Sequence, residues 1–359
     1  MSPPSGTARR LGVVVNPTAG KGRGARVGQA VLDDLVACGH HVYDLSGRNA
    51  DLALEHAHRA VADGLDALVV VGGDGMVHLG VQAVAGTGTP LGIVAVGTGN
   101  DFAATLGLPI RDPAAASAAV CAALDAGPAG IHAVDAVHVT GADIPPPHRG
   151  ARTARWCAGA LSAGLDAAVN ARANAMLRPR GSSRYTIAAV ASIVGYRPWS
   201  YSLRFEGVVD DGGLVLEPAD TSDGADHGNG DGTTEGRAGT WVGSAAMVTA
   251  ANGPQIGGGI RVAPQASVTD GYLDVLVATD LTRLGAASIF PTMYSGRHVG
   301  RRKVHVVRAR AVAIEPGPDA DGLPALPAAY ADGEHVGGLP LRAQAYAGAL
   351  AVLKPPTAV

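Results

Sequence analysis

Two stretches of this sequence, LVVVGGDGMVHLGVQAV (residues 68–84) and LGIVAVGTGNDFAATLGLP (residues 91–109), follow the same arrangement. Each begins with mostly branched apolar residues, a pattern typical of a buried parallel strand. Each apolar run ends at a glycine-rich turn, and a helical pattern follows. A strand that leads through a glycine turn into a helix brings backbone N–H groups onto a phosphate. The two turns, which hold Asp74 and Asp101, therefore predict a nucleotide site with charged groups beside it.

The residues on either side extend this pattern into an α/β domain. Residues 11–15 and 41–45 are predicted strands, and a predicted helix follows each of them. Because crossover connections between parallel strands are right-handed, the helices should cover both faces of one parallel sheet. We therefore predict the α/β fold class, with a doubly wound parallel-sheet domain over residues 9–131.

The second half of the chain has a different pattern, in which strand-like runs succeed one another with few helices between them. This indicates a mainly antiparallel β-sandwich domain over residues 132–346, with residues 347–359 returning to the first domain. One helical stretch, residues 163–194, interrupts the strands. Residues 218–239 are rich in Gly, Asp and Thr and have almost nothing to bury, so we predict a disordered insertion there. The strand-like runs are residues 133–139, 241–250, 273–278 and 303–309.

The composition is that of a soluble globular protein. Hydrophobic residues make up 47% of the 359 residues and charged residues 16%. The formal net charge of −3 provides no overall attraction to nucleic acid. With three Trp, eight Tyr and three Phe, the chain also has few aromatic rings for base stacking. We therefore expect no nucleic-acid partner.

Sequence features that bear on location favour the cytoplasm. The N-terminal MSPPSGTARR lacks the apolar segment of a secretory signal, and no run approaches the roughly 20 apolar residues of a membrane span. Cys38, Cys121 and Cys157 have no metal-ligand spacing and form no obvious disulfide set, which favours a reducing compartment.

Six motifs occur in a fixed order along nearly the whole chain, and together they resemble the diacylglycerol kinase catalytic-domain family. That family groups bacterial lipid kinases with sphingosine kinases and, more distantly, NAD kinases. The motifs are Asn16-Pro17-x-x-Gly20, Gly72-Gly73-Asp74-Gly75, the turn of residues 97–103, Gly257-Gly258-Gly259, Asp270-Gly271-Tyr272-Leu273-Asp274 and Asp332-Gly333-Glu334.

The resemblance implies that the chain binds ATP with Mg²⁺ at the glycine turns. Gly73 and Gly75 permit the close backbone approach that side chains would block. Ser46 stands where relatives place a threonine that contacts the nucleotide. The candidate nucleotide-binding residues are Asn16, Pro17, Thr18, Ala19, Gly20, Ser46, Gly72, Gly73, Asp74, Gly75, Met76, Val77, His78, Thr98 and Asn100.

The resemblance also implies three catalytic residues. Glu334 corresponds to the glutamate that accepts the hydroxyl proton in bacterial relatives, and Asp332 would support it. Asp74 would ligate Mg²⁺ or orient the acceptor hydroxyl, although its residue type also suits a helix cap. Asp101, likewise a possible cap, would join a charge network that links the two domains around the metal.

A second, structural Mg²⁺ is implied at the Asp-Gly-x-Leu segment. The side chain of Asp270, together with Ser267 and Tyr272, corresponds to the oxygen ligands of relatives, and such ligands suit a hard cation. A hairpin turn is the alternative interpretation of Asp270-Gly271.

The chain departs from the family pattern after the GGDG turn. Many bacterial relatives have a threonine there, with an Asn-Glu pair following, whereas this chain has Met76, His78 and Leu79. These losses leave open an inactive nucleotide- or lipid-binding regulator. We interpret His78 as a helix residue with a satisfied side chain.

We therefore predict an ATP-dependent lipid kinase whose acceptor is a lipid alcohol, with diacylglycerol as the first choice. Kinases for a polyisoprenoid alcohol or a long-chain base, and more weakly an NAD kinase, are alternatives. A dinucleotide-dependent oxidoreductase is disfavoured because no Gly-x-Gly-x-x-Gly follows the first strand. We expect peripheral contact with the inner face of the membrane, and a homodimer is possible. Residues 172–184 and 297–310 are basic stretches, interpreted either as solvated faces or as lipid-docking surfaces with Met176 and Leu177 as apolar inserts.

Overall fold

The structure, a computed structural model, describes residues 8–16, 24–141, 144, 154–176, 183–219, 236–318 and 325–356, with the backbone alone at residue 183. Its N-terminal part contains the parallel strands β1 (Arg10–Val15), β2 (His41–Asp44), β3 (Ala67–Gly72) and β4 (Leu91–Ala95). They lie in the order β4-β3-β1-β2. Every residue of β3 and β4 is buried, as their unbroken apolar sequences predict.

Helices cover both faces of this sheet. They are α1 (Gly24–Ala37), α2 (Ala50–Ala62), α3 (Asp74–Val84), α4 (Asp101–Thr105) and α5 (Pro113–Asp125). Val69 and Val71 of β3 share one apolar core with α1 and α5, whereas Leu68 and Val70 share another with α2 and α3. Because successive residues of a strand point to opposite faces, this division confirms the predicted doubly wound fold.

The C-terminal part is mainly antiparallel, as predicted. Its long central strand, β10, pairs antiparallel with β7, β8 and β11, and Tyr201, Leu203 and Phe205 of β8 lie fully buried in its core. The strands are β5 (Ile131–Thr140), β6 (Ala154–Cys157), β7 (Ala160–Gly164), β8 (Trp199–Val208), β9 (Glu217–Pro218), β10 (Arg237–Ala251), β11 (Leu273–Thr279), β12 (Val304–Ala309), β13 (Ala311–Pro316), β14 (Ala329–Ala331), β15 (Glu334–Gly337) and β16 (Leu341–Leu353).

Strand β16 joins the two parts into one hydrogen-bonded sheet. It pairs antiparallel with β5 and β13, and its residue Val352 pairs parallel with Leu91 of β4. The sequence-based domain boundaries, including the return of residues 347–359, stay predictions.

The single helical stretch predicted for residues 163–194 is wrong. Gly164, at φ 94°, turns the chain from β7 into α6 (Leu165–Ala175), and the extended backbone of Met176 ends that helix. A separate helix, α7 (Ser183–Gly195), follows, and α8 (Arg283–Met293) lies later in the chain. No helix in the described ranges is long and apolar enough to span a membrane.

Two sequence predictions concern segments that the structure covers incompletely. Of the predicted disordered insertion at residues 218–239, Pro218 belongs to β9 and residues 237–239 belong to β10, while residues 220–235 lie outside the described residues. Pro17, Thr18, Ala19 and Gly20 of the nucleotide-binding prediction also lie outside them, as does the apolar insert Leu177.

The prediction that the cysteines form no disulfide is wrong. Cys38, directly after α1, is bonded to Cys121 of α5, while Cys157 is free and buried. The two half-cystines are 83 residues apart in sequence, but α1 and α5 pack together on one face of the sheet. Cysteine usage therefore gives no support to a reducing compartment.

Candidate active site

The two glycine turns at the carboxyl ends of β3 and β4 lie backbone to backbone. A Cβ added to Gly73 would lie 3.2 Å from the Cα of Gly97, so a side chain there would push the turns apart. Parallel strands end at the same sheet edge, which is why two turns 24 residues apart meet. The sequence-predicted glycines therefore form one continuous surface.

Asp74 connects the two turns through its carboxylate. Its oxygens accept hydrogen bonds from the backbone N–H groups of Asn100 and Asp101, each at 2.8 Å. The N-cap of its own helix is Gly73, so Asp74 does not cap α3. Burial raises the pKa of Asp74, and the nearby carboxylate of Asp332 raises it further, against the two backbone hydrogen bonds.

Asp101 links the glycine turns to the C-terminal part. Its Oδ2 atom accepts a hydrogen bond of 2.6 Å from the N–H of Gly258, in the Gly257-Gly258-Gly259 motif. Those three glycines have φ of 60°, 85° and 105°, values at which a side chain would strain the backbone. Burial raises the pKa of Asp101, and the proximity of Asp74 acts in the same direction. The arrangement corresponds to the predicted link between domains.

Asp332 is anchored beneath the site rather than exposed in it. Its side chain is 9% exposed, and its oxygens accept hydrogen bonds from the backbone of Ala158, Gly159 and Ala160 at 2.9, 2.8 and 3.2 Å. Burial disfavours this carboxylate, but these hydrogen bonds and His78 outweigh burial and lower its pKa. Asp332 thereby fixes the start of the Asp-Gly-Glu turn.

Glu334 is exposed and faces the first glycine turn. A Cβ added to Gly75 would lie 3.2 Å from its Oε1 atom, so the absence of a side chain at Gly75 leaves room for this carboxylate. The fold thus brings together groups that are some 260 residues apart in sequence, Asp74 and Glu334, in the wall of one cavity.

His78 and Gln82 position the Asp-Gly-Glu turn, a role that the sequence motifs did not predict. His78 Nδ1 lies 3.2 Å from Asp332 Oδ2, and Gln82 Nε2 lies 3.3 Å from His78 Nε2. Gln82 also binds the backbone of Trp156 through both ends of its amide. Two polar residues four apart on an otherwise apolar helix were the available signal. The satisfied side chain predicted for His78 is present, and its partner is the Asp-Gly-Glu turn.

The remaining nucleotide-binding candidates differ in whether their side chains reach the cavity. Thr98 lines the cavity, whereas Asn100 is 1% exposed and its side chain bonds the backbone of Gly97 at both ends. Ser46 accepts a hydrogen bond from the N–H of Val15 at 2.9 Å. A Cβ at Gly72 would lie 3.5 Å from the Cβ of Asn16, which places Asn16 beside the GGDG turn. The side chains of Met76 and Leu79 are buried in the core, whereas Val77 is buried but lines the cavity.

The candidate structural-metal residues lie apart from the cavity lining. Asp270 forms an ion pair with Arg308, and its other oxygen accepts the N–H of Tyr272 at 3.0 Å. The Arg308 guanidinium also lies over the Tyr272 ring, and Ser267 Oγ contacts Thr269 Oγ1 at 3.2 Å. Within the described residues, no group of three or more His, Cys, Asp or Glu side chains could hold an ion. Because the Arg308 guanidinium already supplies a positive charge to Asp270, these residues as arranged do not fit a metal.

A cavity of about 620 Å³ connects the acidic groups to the interior of the C-terminal part. Asp74, Asp101 and Glu334 line it with the two glycine turns. Apolar side chains from α7, α8, β10 and β11 line much of the rest, among them Ile193, Met247, Leu276, Ile289, Phe290 and Met293.

One further acid, Asp166 at the start of α6, lies in the wall of this cavity. Its Oδ2 atom accepts a hydrogen bond of 2.6 Å from the hydroxyl of Thr249, and burial raises its pKa to about 6. No sequence motif singled it out.

Comparison with known proteins accounts for both parts of the chain. A family model described as the diacylglycerol kinase catalytic domain matches residues 10–127. A model described as the YegS C-terminal NAD kinase beta sandwich-like domain matches residues 159–354. The two matches fall on the parallel and antiparallel parts of the fold.

Individual relatives extend over similar lengths. A diacylglycerol kinase from Mycobacterium tuberculosis is 32% identical over 347 residues, which cover 96% of this chain and 95% of that protein. A "Probable lipid kinase YegS-like" from Xanthomonas euvesicatoria is 28% identical over 270 residues, 73% of this chain and 72% of that protein. The crystal structure of a diacylglycerol kinase from Bacillus anthracis superposes with a TM-score of 0.61 at 17% identity, covers 98% of both chains, and shows the same fold. The chain therefore belongs to the diacylglycerol kinase catalytic-domain family of lipid kinases.

Proposed function

We propose that the protein transfers the γ-phosphoryl group of ATP to the free hydroxyl of diacylglycerol, producing phosphatidic acid. The observation that carries this proposal is the shared cavity, in which acidic groups at the glycine turns adjoin an apolar interior. A lipid alcohol needs both environments, because its hydroxyl reacts while its hydrocarbon leaves water. We further propose that it acts from the cytoplasm, where ATP is supplied, on the inner face of the membrane.

In this proposal ATP phosphates lie at the glycine turns, beside the N-terminus of α3. Glu334 accepts the proton of the acceptor hydroxyl, which leaves an oxygen nucleophile to form the new P–O bond as the bond to ADP breaks. Asp332 and His78 hold the turn that carries Glu334. The carboxylates of Asp74 and Asp101 would hold Mg²⁺ that arrives with ATP, and the ion would neutralise phosphate charge there.

A transfer assay with γ-labelled ATP and diacylglycerol in mixed micelles tests the proposal. Wild type should yield labelled phosphatidic acid, and Asp74→Asn should abolish transfer while the thermal melt shows an intact fold. No turnover of ATP with any lipid alcohol would instead support the inactive binding protein, whereas labelled inorganic phosphate alone would show an ATPase. Labelled NADP from NAD would support an NAD kinase.

A long-chain base is a second candidate acceptor, favoured by Asp166. A carboxylate in an apolar wall matches the ammonium group of such a base, which diacylglycerol lacks. Asp166→Asn should then lower kcat/KM for sphinganine at least tenfold more than for diacylglycerol. Equal effects on both lipids would remove this candidate.

A further inference from the structure

Helix α7 has two apolar faces, and within the part of the chain that the structure describes only one of them packs inside the protein. Tyr185, Ala189 and Ile193 line the cavity. On the outer side, Ile187, Val190 and Val194 are 48%, 57% and 67% exposed, and their spacing of three and four residues forms one continuous stripe.

Helix α8 packs beside α7 and repeats this arrangement. Ala286, Ile289 and Met293 line the cavity, whereas Leu284 in the first turn of α8 is 83% exposed. Tyr294 at the end of α8 is 47% exposed and also borders the cavity. Among the described residues, these five side chains are nearly half of the large apolar side chains that are exposed. Such a concentration indicates a contact surface rather than scattered surface residues.

The charged side chains of these two helices are all cationic, and one exposed acid, Asp280, lies just before α8. Neither α7 nor α8 contains Asp or Glu. Arg184 lies in the first turn of α7, and the exposed Arg197 follows that helix. The exposed Arg283 is the first residue of α8. Shortly after α8 lie the exposed Arg297, Arg301 and Arg302. The surface is therefore apolar with a cationic rim, although the whole chain has a net charge of −3.

We propose that the exposed face of α7 and α8, formed by Ile187, Val190, Val194, Leu284 and Tyr294, docks on the surface of an anionic lipid bilayer. The apolar side chains enter the boundary between headgroups and acyl chains, and the arginines bind lipid phosphates. This inference rests on the proposed lipid kinase activity for its purpose: the same two helices wall the cavity, so a docked protein would receive its acceptor directly from the leaflet.

A bilayer fits this face better than a second copy of the chain. A two-fold dimer through the α7–α8 face would place the same patch on both sides of the interface. The rims of arginines would then oppose each other without an acidic partner from either helix, and like charges across an interface weaken it. Anionic lipid supplies the missing negative charge.

Vesicle flotation tests the inference independently of catalysis. Wild type should float with vesicles of equimolar phosphatidylcholine and phosphatidylglycerol, and less so with phosphatidylcholine alone. Val190→Glu together with Val194→Glu should weaken binding at least about tenfold, because two apolar insertions are replaced by charges that anionic lipid repels. Val36→Glu is the matched control, since Val36 is 56% exposed on α1 in the other part of the fold; its binding should equal that of wild type.

Turnover of a diacylglycerol with chains short enough to stay in solution separates the two proposals. The Val190/Val194 variant should phosphorylate this soluble lipid like wild type and fail only on vesicles. Flotation without any turnover by wild type would refute the proposed activity alone. Unchanged flotation of the variant, equal loss in Val36→Glu, or a wild-type dimer that the variant dissociates would overturn the docking face.

Discussion

Asp166→Asn is expected to stabilise the protein at neutral pH, because the aspartate lies in the wall of an apolar cavity. Burial raises its pKa from 3.8 to about 6, so at neutral pH the folded protein holds a carboxylate that water would solvate better. At about 1.4 kcal/mol for each tenfold change in proton affinity, this difference corresponds to up to about 3 kcal/mol. Asparagine keeps an oxygen for the Thr249 hydroxyl and carries no charge, but it loses the hydrogen bond that the second oxygen accepts from the N–H of Ala167.

The effect has a defined pH dependence. Between pH 3.8 and about 6 the folded state keeps a proton that the unfolded chain has lost, so wild-type stability falls as the pH rises through this window. Asp166→Asn does not lose stability in this way. The free energy of unfolding of the variant, relative to that of wild type, should therefore rise by up to about 3 kcal/mol from about pH 4 to about pH 7. Asp274, whose pKa burial also raises to about 6, titrates in both proteins and cancels in the difference.

Urea denaturation of both proteins at the two pH values measures this difference. Asp34→Asn, on the exposed side of α1, is the control and should show no comparable change. A difference between wild type and Asp166→Asn that is the same at both pH values would refute the argument that burial of a charge is the cause.

Three further predictions follow from the site. Asp332→Asn should lower the free energy of unfolding in urea by about 2–4 kcal/mol, because an amide cannot accept all three backbone N–H groups. Since the pKa of Asp332 is lowered, this loss should shrink as the pH falls below 3.8. A loss that does not depend on pH would contradict the role of the carboxylate charge. Gly258→Ala should lower stability by about 1–2 kcal/mol, since φ at this position is 85°, and an unchanged melt would contradict this. EDTA should leave the melting temperature unchanged, because Arg308 neutralises Asp270; a clear fall would show that Asp270 holds an ion.

The sheet and its glycine turns could be predicted because their causes are local. Branched apolar runs specify buried parallel strands, and the positions of Gly72–Gly75 at a strand end require a turn. Asp74 and Asp101 could be placed together because neighbouring strands end at one edge. Their bond to each other, from the N–H of Asp101 to the Asp74 carboxylate, needed coordinates.

What could not be predicted depends on packing between distant segments. Glu334 could be assigned to the site only from the family resemblance, because nothing in the sequence of its turn shows that it faces Gly75. Arg308 pairs with Asp270 because β11 and β12 are hydrogen-bonded neighbours, a pairing that the residue types alone do not specify. The Cys38–Cys121 bond was missed for the same reason, because two helices had to be known to share a face.

The most direct test of a lipid kinase with Glu334 as its base is the rate of phosphoryl transfer by Glu334→Gln. Glutamine keeps the size of the side chain but cannot accept the hydroxyl proton. The loss of a general base typically costs about 10²- to 10⁴-fold, so kcat for diacylglycerol phosphorylation should fall within that range while ATP affinity stays within a few-fold. Glu217→Gln, an exposed glutamate in β9, should retain the wild-type rate. Full activity of Glu334→Gln would contradict its role as the base, and a wild type that transfers phosphate to no lipid alcohol would contradict the account as a whole.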